Sequence, residues 1–175
     1  MAEQTPYSAE SDAFVPGDAL KNVDILYVDD DSQRRDSMRR MLQGLLPRSV
    51  HVAENGLEAL KLINGAKYGL IVCENDLAKT DGIEFVREVR LAAYYPRAVT
   101  PILLIGRPAS ADVIKAALAA GANSFMIKPF ASAKLYERLL LVLNDSRPFV
   151  IKDGRYVIKP AKVVLPAGVG TPARA

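Results

Sequence analysis

Short apolar segments and amphipathic segments alternate five times between residues 24 and 144. The apolar segments are rich in β-branched and aromatic residues, which is typical of strands buried on both faces. The intervening segments repeat apolar residues at helical spacing, as Met38, Met41, Leu42 and Leu45 do. Strands that alternate with helices in this way form βαβ units with right-handed crossovers. The pattern therefore predicts an α/β fold, a doubly wound five-stranded parallel sheet with helices on both faces.

Local signals refine the predicted elements. The third helix is predicted from about Ile83 to Tyr94, and Gly121 is predicted to terminate the fourth. His51, the single histidine, is predicted to be an exposed strand residue and not a ligand or a general base. The predicted strands cover residues 24–28, 50–53, 69–73, 101–105 and 124–127.

Polar and special residues stand at the ends of four predicted strands. Asp29 and Asp30 follow the first strand, Glu74 the third, Gly106 the fourth and Lys128 the fifth. In doubly wound sheets, ligands bind outside the carboxyl ends of the strands. Consecutive aspartates repel one another unless a cation lies among them, and oxygen ligands of this kind suit Mg²⁺. A solvated turn that caps the next helix is the alternative, but the convergence of four strand ends favours a site.

Four separated motifs occur in the chain: Val28-Asp-Asp30, Asp81-Gly-Ile-Glu-Phe85, Ala119-Ala-Gly-Ala122 and Lys128-Pro-Phe130. With their spacing they resemble the receiver domain of bacterial two-component response regulators, over residues 23–144. The resemblance implies a flavodoxin-like fold with strand order 2-1-3-4-5 and a pocket that binds Mg²⁺ and accepts a phosphoryl group from a histidine kinase. It also implies a cis peptide before Pro129.

Four positions match the functional residues of that family. The resemblance implies that Asp29 and Asp30 hold the metal, weakly, and Glu74 is a candidate third ligand. It implies that Lys128 pairs with the phosphoryl group and that Phe125 is the switch aromatic of the fifth strand.

Two positions depart from the family pattern. Glu74 stands where the family has its phosphoacceptor aspartate, and Gly106 stands where it has a serine or threonine. The extra methylene of glutamate moves the carboxylate by about 1 Å, and in-line phosphoryl transfer is sensitive to a shift of that size. Gly106 has no hydroxyl for a phosphoryl oxygen. Glu74 can instead pair permanently with Lys128 and imitate part of a phosphorylated state, or the metal site can persist as a structural remnant.

We therefore expect an atypical, single-domain receiver that is not an enzyme and signals by protein–protein interaction, independently of aspartyl phosphorylation. One alternative is a phosphorylatable receiver that takes phosphate from a histidine kinase or phosphotransfer protein. Another is anion or nucleic-acid binding through the arginines of the first helix and the basic tail, which the spread-out bases disfavour. The expected partners are a histidine kinase, a phosphotransfer protein or a downstream target, and a homodimer stays open.

Charge and turn signals divide the 175-residue chain, whose net charge is +3. Residues 1–20 carry four acids and no base, which predicts a flexible acidic arm before a receiver domain over residues 21–144. Residues 145–175 carry six bases and two acids and form a basic extension. Within it, Asp153-Gly154 predicts a β-hairpin near 148–159 in which Lys152 faces Arg155, packed on the domain's own helices, on a second copy of the chain or on a partner. An extended tail is the alternative.

The remaining signals concern location. No apolar run approaches the roughly 20 residues that span a bilayer, and the first residues lack the pattern of a secretory signal. The single cysteine, Cys73, lies in an apolar strand and is predicted to be a buried thiol. The expected location is cytoplasmic.

Overall fold

The computed structural model describes residues 14–107 and 110–160, and it contains the predicted sheet. All neighbouring strands pair in parallel in the order β2-β1-β3-β4-β5, which confirms the predicted fold class. The strands are β1 (Asp24–Val28), β2 (Ser49–Ala53), β3 (Leu70–Glu74), β4 (Ile102–Gly106) and β5 (Ser124–Ile127). The helices are α1 (Ser32–Gln43), α2 (Gly56–Gly65), α3 (Gly82–Val89), α4 (Ala111–Ala120) and α5 (Ser132–Leu143).

Two apolar layers hold the helices against the two faces of the sheet. Successive strand residues point to opposite faces, so in β3 Ile71 packs toward α2, α3 and α4, whereas Val72 packs toward α1 and α5. Every residue of β3 and of β4 is buried, because both strands are covered on both faces. The predicted thiol Cys73 is fully buried. In the part of the chain that the structure describes, no helix is long and apolar enough to span a membrane.

Helix α3 is shorter than predicted. It ends at Val89, and a 3₁₀ turn at Ala92–Tyr94 takes the place of its expected last turn. The reason is tertiary: the amide N–H of Ala92 donates to the carbonyl of Gly154, 2.9 Å away, and not to the helical carbonyl of Glu88. The helical periodicity of the sequence continues through this segment, but the hydrogen bond to Gly154 ends the helix early.

The N-terminal segment packs against the domain from Phe14 onwards. The Phe14 ring lies 5.4 Å from that of Tyr136, and Leu20 is fully buried in the core layer beside α1 and α5. The expected boundary at residue 20 therefore assigned a core residue to the arm. Residues 1–13 lie outside the described part of the chain, as do residues 161–175 of the basic extension.

The C-terminal extension contains a β-hairpin of β6 (Phe149–Lys152) and β7 (Arg155–Ile158). Both turn residues have positive φ, 51° at Asp153 and 74° at Gly154, as a type I′ turn requires. The register pairs Lys152 with Arg155, Ile151 with Tyr156 and Val150 with Val157, as the Asp-Gly turn predicts.

The hairpin docks on the domain's own surface, between the end of α3 and the turn that follows α4. The amide of Tyr156 donates to the carbonyl of Arg90 at 2.8 Å. Gly121 ends α4 with φ of 108°, and a Cβ there would lie 2.9 Å from the Tyr156 carbonyl oxygen. Gly121 therefore serves both as the predicted helix terminator and as a point of close approach by the hairpin backbone.

Candidate functional site

The residues predicted from strand ends meet at the carboxyl edge of the sheet. Asp29 and Asp30 follow β1, Glu74 is the last residue of β3 and Gly106 the last of β4. Lys128 follows β5, and its amide N–H donates to the carbonyl of Gly106 at 2.9 Å. The parallel register thus brings residues from across about 100 positions of sequence into one pocket.

Glu74 and Lys128 form the centre of this pocket. The Nζ of Lys128 donates to Oε2 of Glu74 in a direct ion pair. Glu74 is 3% exposed, and the Lys128 side chain is 20% exposed. Burial raises the pKa of Glu74 above its usual value, and the neighbouring Lys128 offsets only part of that rise.

Asp29 is fully buried, and both of its carboxylate oxygens are saturated with donors. Oδ1 accepts from the Asp31 amide at 3.0 Å and from Nη2 of Arg34 at 2.8 Å. Oδ2 accepts from the Tyr27 hydroxyl at 2.7 Å and from Nε of Arg34 at 3.1 Å. Burial by itself raises the pKa of Asp29, but the hydrogen bonds from Arg34 and Tyr27 outweigh it and hold this pKa below its usual value.

Arg34 reaches the pocket because Asp31 caps the helix in front of it. The Asp31 side chain accepts the backbone N–H of Arg34 at 2.8 Å, which places Arg34 in the first turn of α1, facing the strand end. The same guanidinium also reaches Asp30 Oδ1 at 3.2 Å. Hydrogen bonds to Asp29 raise the pKa of Arg34 above its usual value.

Sequence reasoning missed both Arg34 and Tyr27 as parts of the site. It assigned Arg34 to a basic helix face, although a basic residue three positions after an N-cap aspartate can turn back to the strand end. Tyr27 lies two residues before Asp29 and therefore on the same face of β1, and a buried tyrosine hydroxyl normally finds a partner. The two residues together provided a signal for an enclosed carboxylate.

Asp30 connects the strand end to the loop after β3. Its side chain is 24% exposed, and it accepts the backbone N–H of Ala78 as well as the bond from Arg34. The loop itself is held by Gly82, where a Cβ would lie 2.8 Å from both the Asn75 Cα and the Glu74 carbonyl oxygen. The Asp-Gly motif therefore reflects a close approach between the start of α3 and the end of β3.

Gly106 and Phe125 form the apolar side of the pocket. A Cβ at Gly106 would lie 3.4 Å from Oε1 of Glu74, 3.6 Å from Cζ of Phe125 and 3.1 Å from Cβ of Asn75. Phe125 is 7% exposed and packs in the core layer beside α4. The predicted switch aromatic therefore lies inward, next to the position that carries no side chain.

The predicted metal ligands are arranged in a way that does not fit Mg²⁺. A carboxylate offers about four lone-pair directions, and all four donors of Asp29 come from the protein. Asp30 and Glu74 each accept at least one protein donor as well. Within residues 14–107 and 110–160, no group of three His, Cys, Asp or Glu side chains is placed to hold a metal ion.

Several bases that suggested an anion-binding surface are engaged inside the protein. Nη1 of Arg35 donates to the Asp29 carbonyl at 2.8 Å. Arg147 pairs with Asp145 at 2.6 Å. Of the tail bases, Lys162 and Arg174 lie outside the described residues.

His51 is exposed on β2, as predicted, with Nδ1 2.8 Å from the Tyr68 hydroxyl. The peptide before Pro129 is cis, as the resemblance implied.

Comparison with known proteins identifies similar sequences over the domain. The response regulator receiver domain family matches residues 25–140. The transcriptional regulatory protein ZraR of Klebsiella oxytoca is 32% identical over 126 residues, which are 72% of this chain and 26% of that protein. Response regulator MprA of a Mycobacterium species (strain KMS) is 35% identical over 126 residues, which are 72% of this chain and 53% of that protein. The chain thus spans between about a quarter and about half of the length of these relatives.

Solved structures share the architecture. The receiver domain of the Francisella response regulator 1452 aligns with a TM-score of 0.63 at 25% identity, covering 72% of this chain and all of that one. The chemotaxis protein CheY4 of Vibrio cholerae aligns with a TM-score of 0.63 at 29% identity, covering 69% of this chain and 98% of that one. The hairpin residues 149–158 fall beyond the matched family region, which ends at residue 140.

Proposed function

The chain belongs to the response regulator receiver domain family of two-component signalling, and we propose that it works without phosphorylation of an aspartate. In this proposal it is a non-enzymatic module that signals by binding other proteins. A single observation carries the proposal: a buried glutamate, Glu74, occupies the phosphoacceptor position and is paired with Lys128.

The Glu74–Lys128 pair supports the proposal because it engages both partners of the transfer reaction. In a receiver, the acceptor carboxylate attacks a phosphoryl group that the lysine helps to hold. Here the lysine nitrogen is bound to the carboxylate itself. Releasing it would leave the buried Glu74 carboxylate without its cationic partner, which is costly in a buried site. The pair therefore supplies within the protein the contact that a phosphoryl group would otherwise make.

Gly106 and Phe125 support the same conclusion from the sensing side of the pocket. Gly106 offers no hydroxyl to a phosphoryl oxygen, and Phe125 already lies inward beside it. We therefore propose a domain held in one signalling state, recognised by a histidine kinase, a phosphotransfer protein or a downstream target. The internal engagement of Arg34, Arg35 and Arg147 argues against anion binding as the main function.

Incubation with a small acyl phosphate and Mg²⁺, followed by intact-mass measurement, tests the proposal. We expect no phosphoryl adduct on the wild-type chain. The double variant Glu74→Asp, Gly106→Thr restores the family residues and is the matched comparison. A Cβ at position 106 would lie 3.1 Å from the Asn75 Cβ with either residue, and Gly106→Ser, which lacks the threonine methyl group, is the smaller second choice. A phosphoryl adduct mapped to Glu74 of the wild type would contradict the proposal.

A further inference from the structure

Arg34 contacts the pocket carboxylates in the way a bound cation would. Its guanidinium bridges both oxygens of Asp29, at 2.8 and 3.1 Å, and also reaches Asp30 at 3.2 Å. A planar guanidinium matches a carboxylate in this two-point geometry and carries its charge at every physiological pH. Two of the three carboxylates predicted to hold metal thus share one protein cation.

The other donors on Asp29 leave no oxygen lone pair for a second cation. The Tyr27 hydroxyl and the Asp31 amide occupy the two positions that Arg34 does not, at 2.7 and 3.0 Å. Mg²⁺ demands near-octahedral oxygen coordination at about 2.1 Å. A metal ion on Asp29 would therefore have to displace Arg34 and would stand beside it as a like charge.

The surrounding structure opposes that displacement. The backbone N–H of Arg34 is fixed by the Asp31 cap, and the next residue, Arg35, holds the Asp29 carbonyl at 2.8 Å. Because Asp29 is fully buried, loss of the guanidinium would leave its charge with only two neutral donors. The Asp31 cap therefore fixes the backbone from which the Arg34 side chain extends, and Arg35 fixes the backbone of the Asp29 that Arg34 contacts.

We propose that Arg34 takes the place of the divalent metal in this pocket, so that the folded domain keeps its acidic cluster neutralised without Mg²⁺. This inference deepens the proposed function, since it rests on a receiver pocket closed by its own ion pairs. It differs from the weak Mg²⁺ binding that the preserved aspartate pair leads one to expect. It also predicts a latent metal site that removal of one side chain uncovers.

Titration with MgCl₂, followed by amide chemical shifts and by the melting temperature, tests the inference. NaCl at matched ionic strength controls for screening. The wild type is expected to show no saturable shift at residues 29–31 in millimolar Mg²⁺ and no change in melting temperature. Arg34→Ala is expected to bind Mg²⁺ at least about tenfold more tightly than the wild type, because a unit charge a few ångströms from the site is gone. MnCl₂ should broaden the same amides in that variant.

Three further variants make the result specific. Arg39→Ala removes an exposed arginine from the same helix and is expected to behave as the wild type does. Arg34→Lys retains a charge without the two-point geometry and keeps the test available if Arg34→Ala does not fold. Asp29→Asn added to Arg34→Ala should abolish the gained binding. Saturable Mg²⁺ binding by the wild type, or equal affinity in wild type and Arg34→Ala, would overturn the inference. Neither result depends on a phosphodonor. The inference about Arg34 can therefore fail while the proposed function stands, and the proposed function can fail while the inference stands.

Discussion

The guanidinium of Arg90 stacks on the ring of Phe149, 4.9 Å from its centroid, and this contact seals the hairpin onto the domain. Arg90 is fully buried and donates to the carbonyls of Ala98, Thr100 and Gly121 at 2.7–2.9 Å. Burial lowers the pKa of Arg90 to about 9, so the side chain remains cationic at neutral pH. A buried cation with carbonyl partners and an aromatic cover depends on the segment that covers it.

Truncation after Asn144 is expected to destabilise the domain, because it removes Phe149 and exposes Arg90. Loss of the docked hairpin should cost roughly 3 kcal/mol of unfolding free energy, from buried apolar area and the aromatic contact. Urea unfolding followed by circular dichroism measures it. A chain ending after Pro160 retains the hairpin and is the control. Equal stability of the two truncated chains would show that the docked hairpin contributes nothing.

The Arg90–Phe149 contact can be separated from the rest of the hairpin by single substitutions in β6. Phe149→Ala should lower the unfolding free energy by roughly 2 kcal/mol, through lost packing and lost cation–π attraction. Ile151 lies on the same strand and is 61% exposed, so Ile151→Ala should change it by less than about 0.5 kcal/mol. Thermal or urea denaturation of both variants gives the comparison. Similar losses in the two would mean that the effect comes from strand propensity and not from Arg90.

The ion pair between Glu74 and Lys128 should appear as an energetic coupling. A double-mutant cycle with Glu74→Gln and Lys128→Met is expected to give a coupling of about 1–3 kcal/mol, since both side chains are largely buried and in direct contact. Each single variant leaves a buried partner uncompensated. The losses of unfolding free energy in the two single variants should therefore sum to more than the loss in the double variant. Unfolding free energies of the four proteins provide the measurement. If the losses of unfolding free energy in the two single variants simply add up to that of the double variant, Glu74 and Lys128 are not energetically coupled.

Stability in acid should report on Asp145, which accepts from Arg147 and from Asn123. The hydrogen bond from Arg147 is the main reason that the pKa of Asp145 falls to about 2. A carboxyl with a lower pKa in the folded state stabilises the protein fully above its unfolded pKa, near 4. That contribution, up to about 2 kcal/mol, is lost as the pH falls from about 4 to about 2.

Unfolding free energies of wild type and Asp145→Asn between pH 5 and about 2 test this sign. The difference between the two proteins should be largest at the upper end and shrink toward the lower end. Asp24, whose pKa is also lowered to about 2 by Arg48, is present in both proteins and cancels. A difference that is independent of pH would assign the effect of Asp145→Asn to packing.

The sequence alone was sufficient for the sheet and for the edge where the strand ends meet, and it indicated the hairpin. Periodicity reports which side of a segment is buried, and alternating strands and helices admit few topologies. Strands β1 to β5 therefore follow from local pattern, and the meeting of Asp29, Glu74 and Lys128 follows from that pattern and the resemblance. The Asp153-Gly154 turn sets its register through backbone conformation, which is local as well.

Only the tertiary structure decided what the long polar side chains do. Arg34 and Arg90 lie in segments whose periodicity allows an outward position, yet one closes the acidic pocket and the other is fully buried. The end of α3 at Val89 depends on Gly154, more than 60 residues away in sequence. Residue spacing along a chain does not predict the contacts of these arginines. Those contacts depend on which remote carbonyls, carboxylates and rings the folded structure places within reach of a flexible side chain.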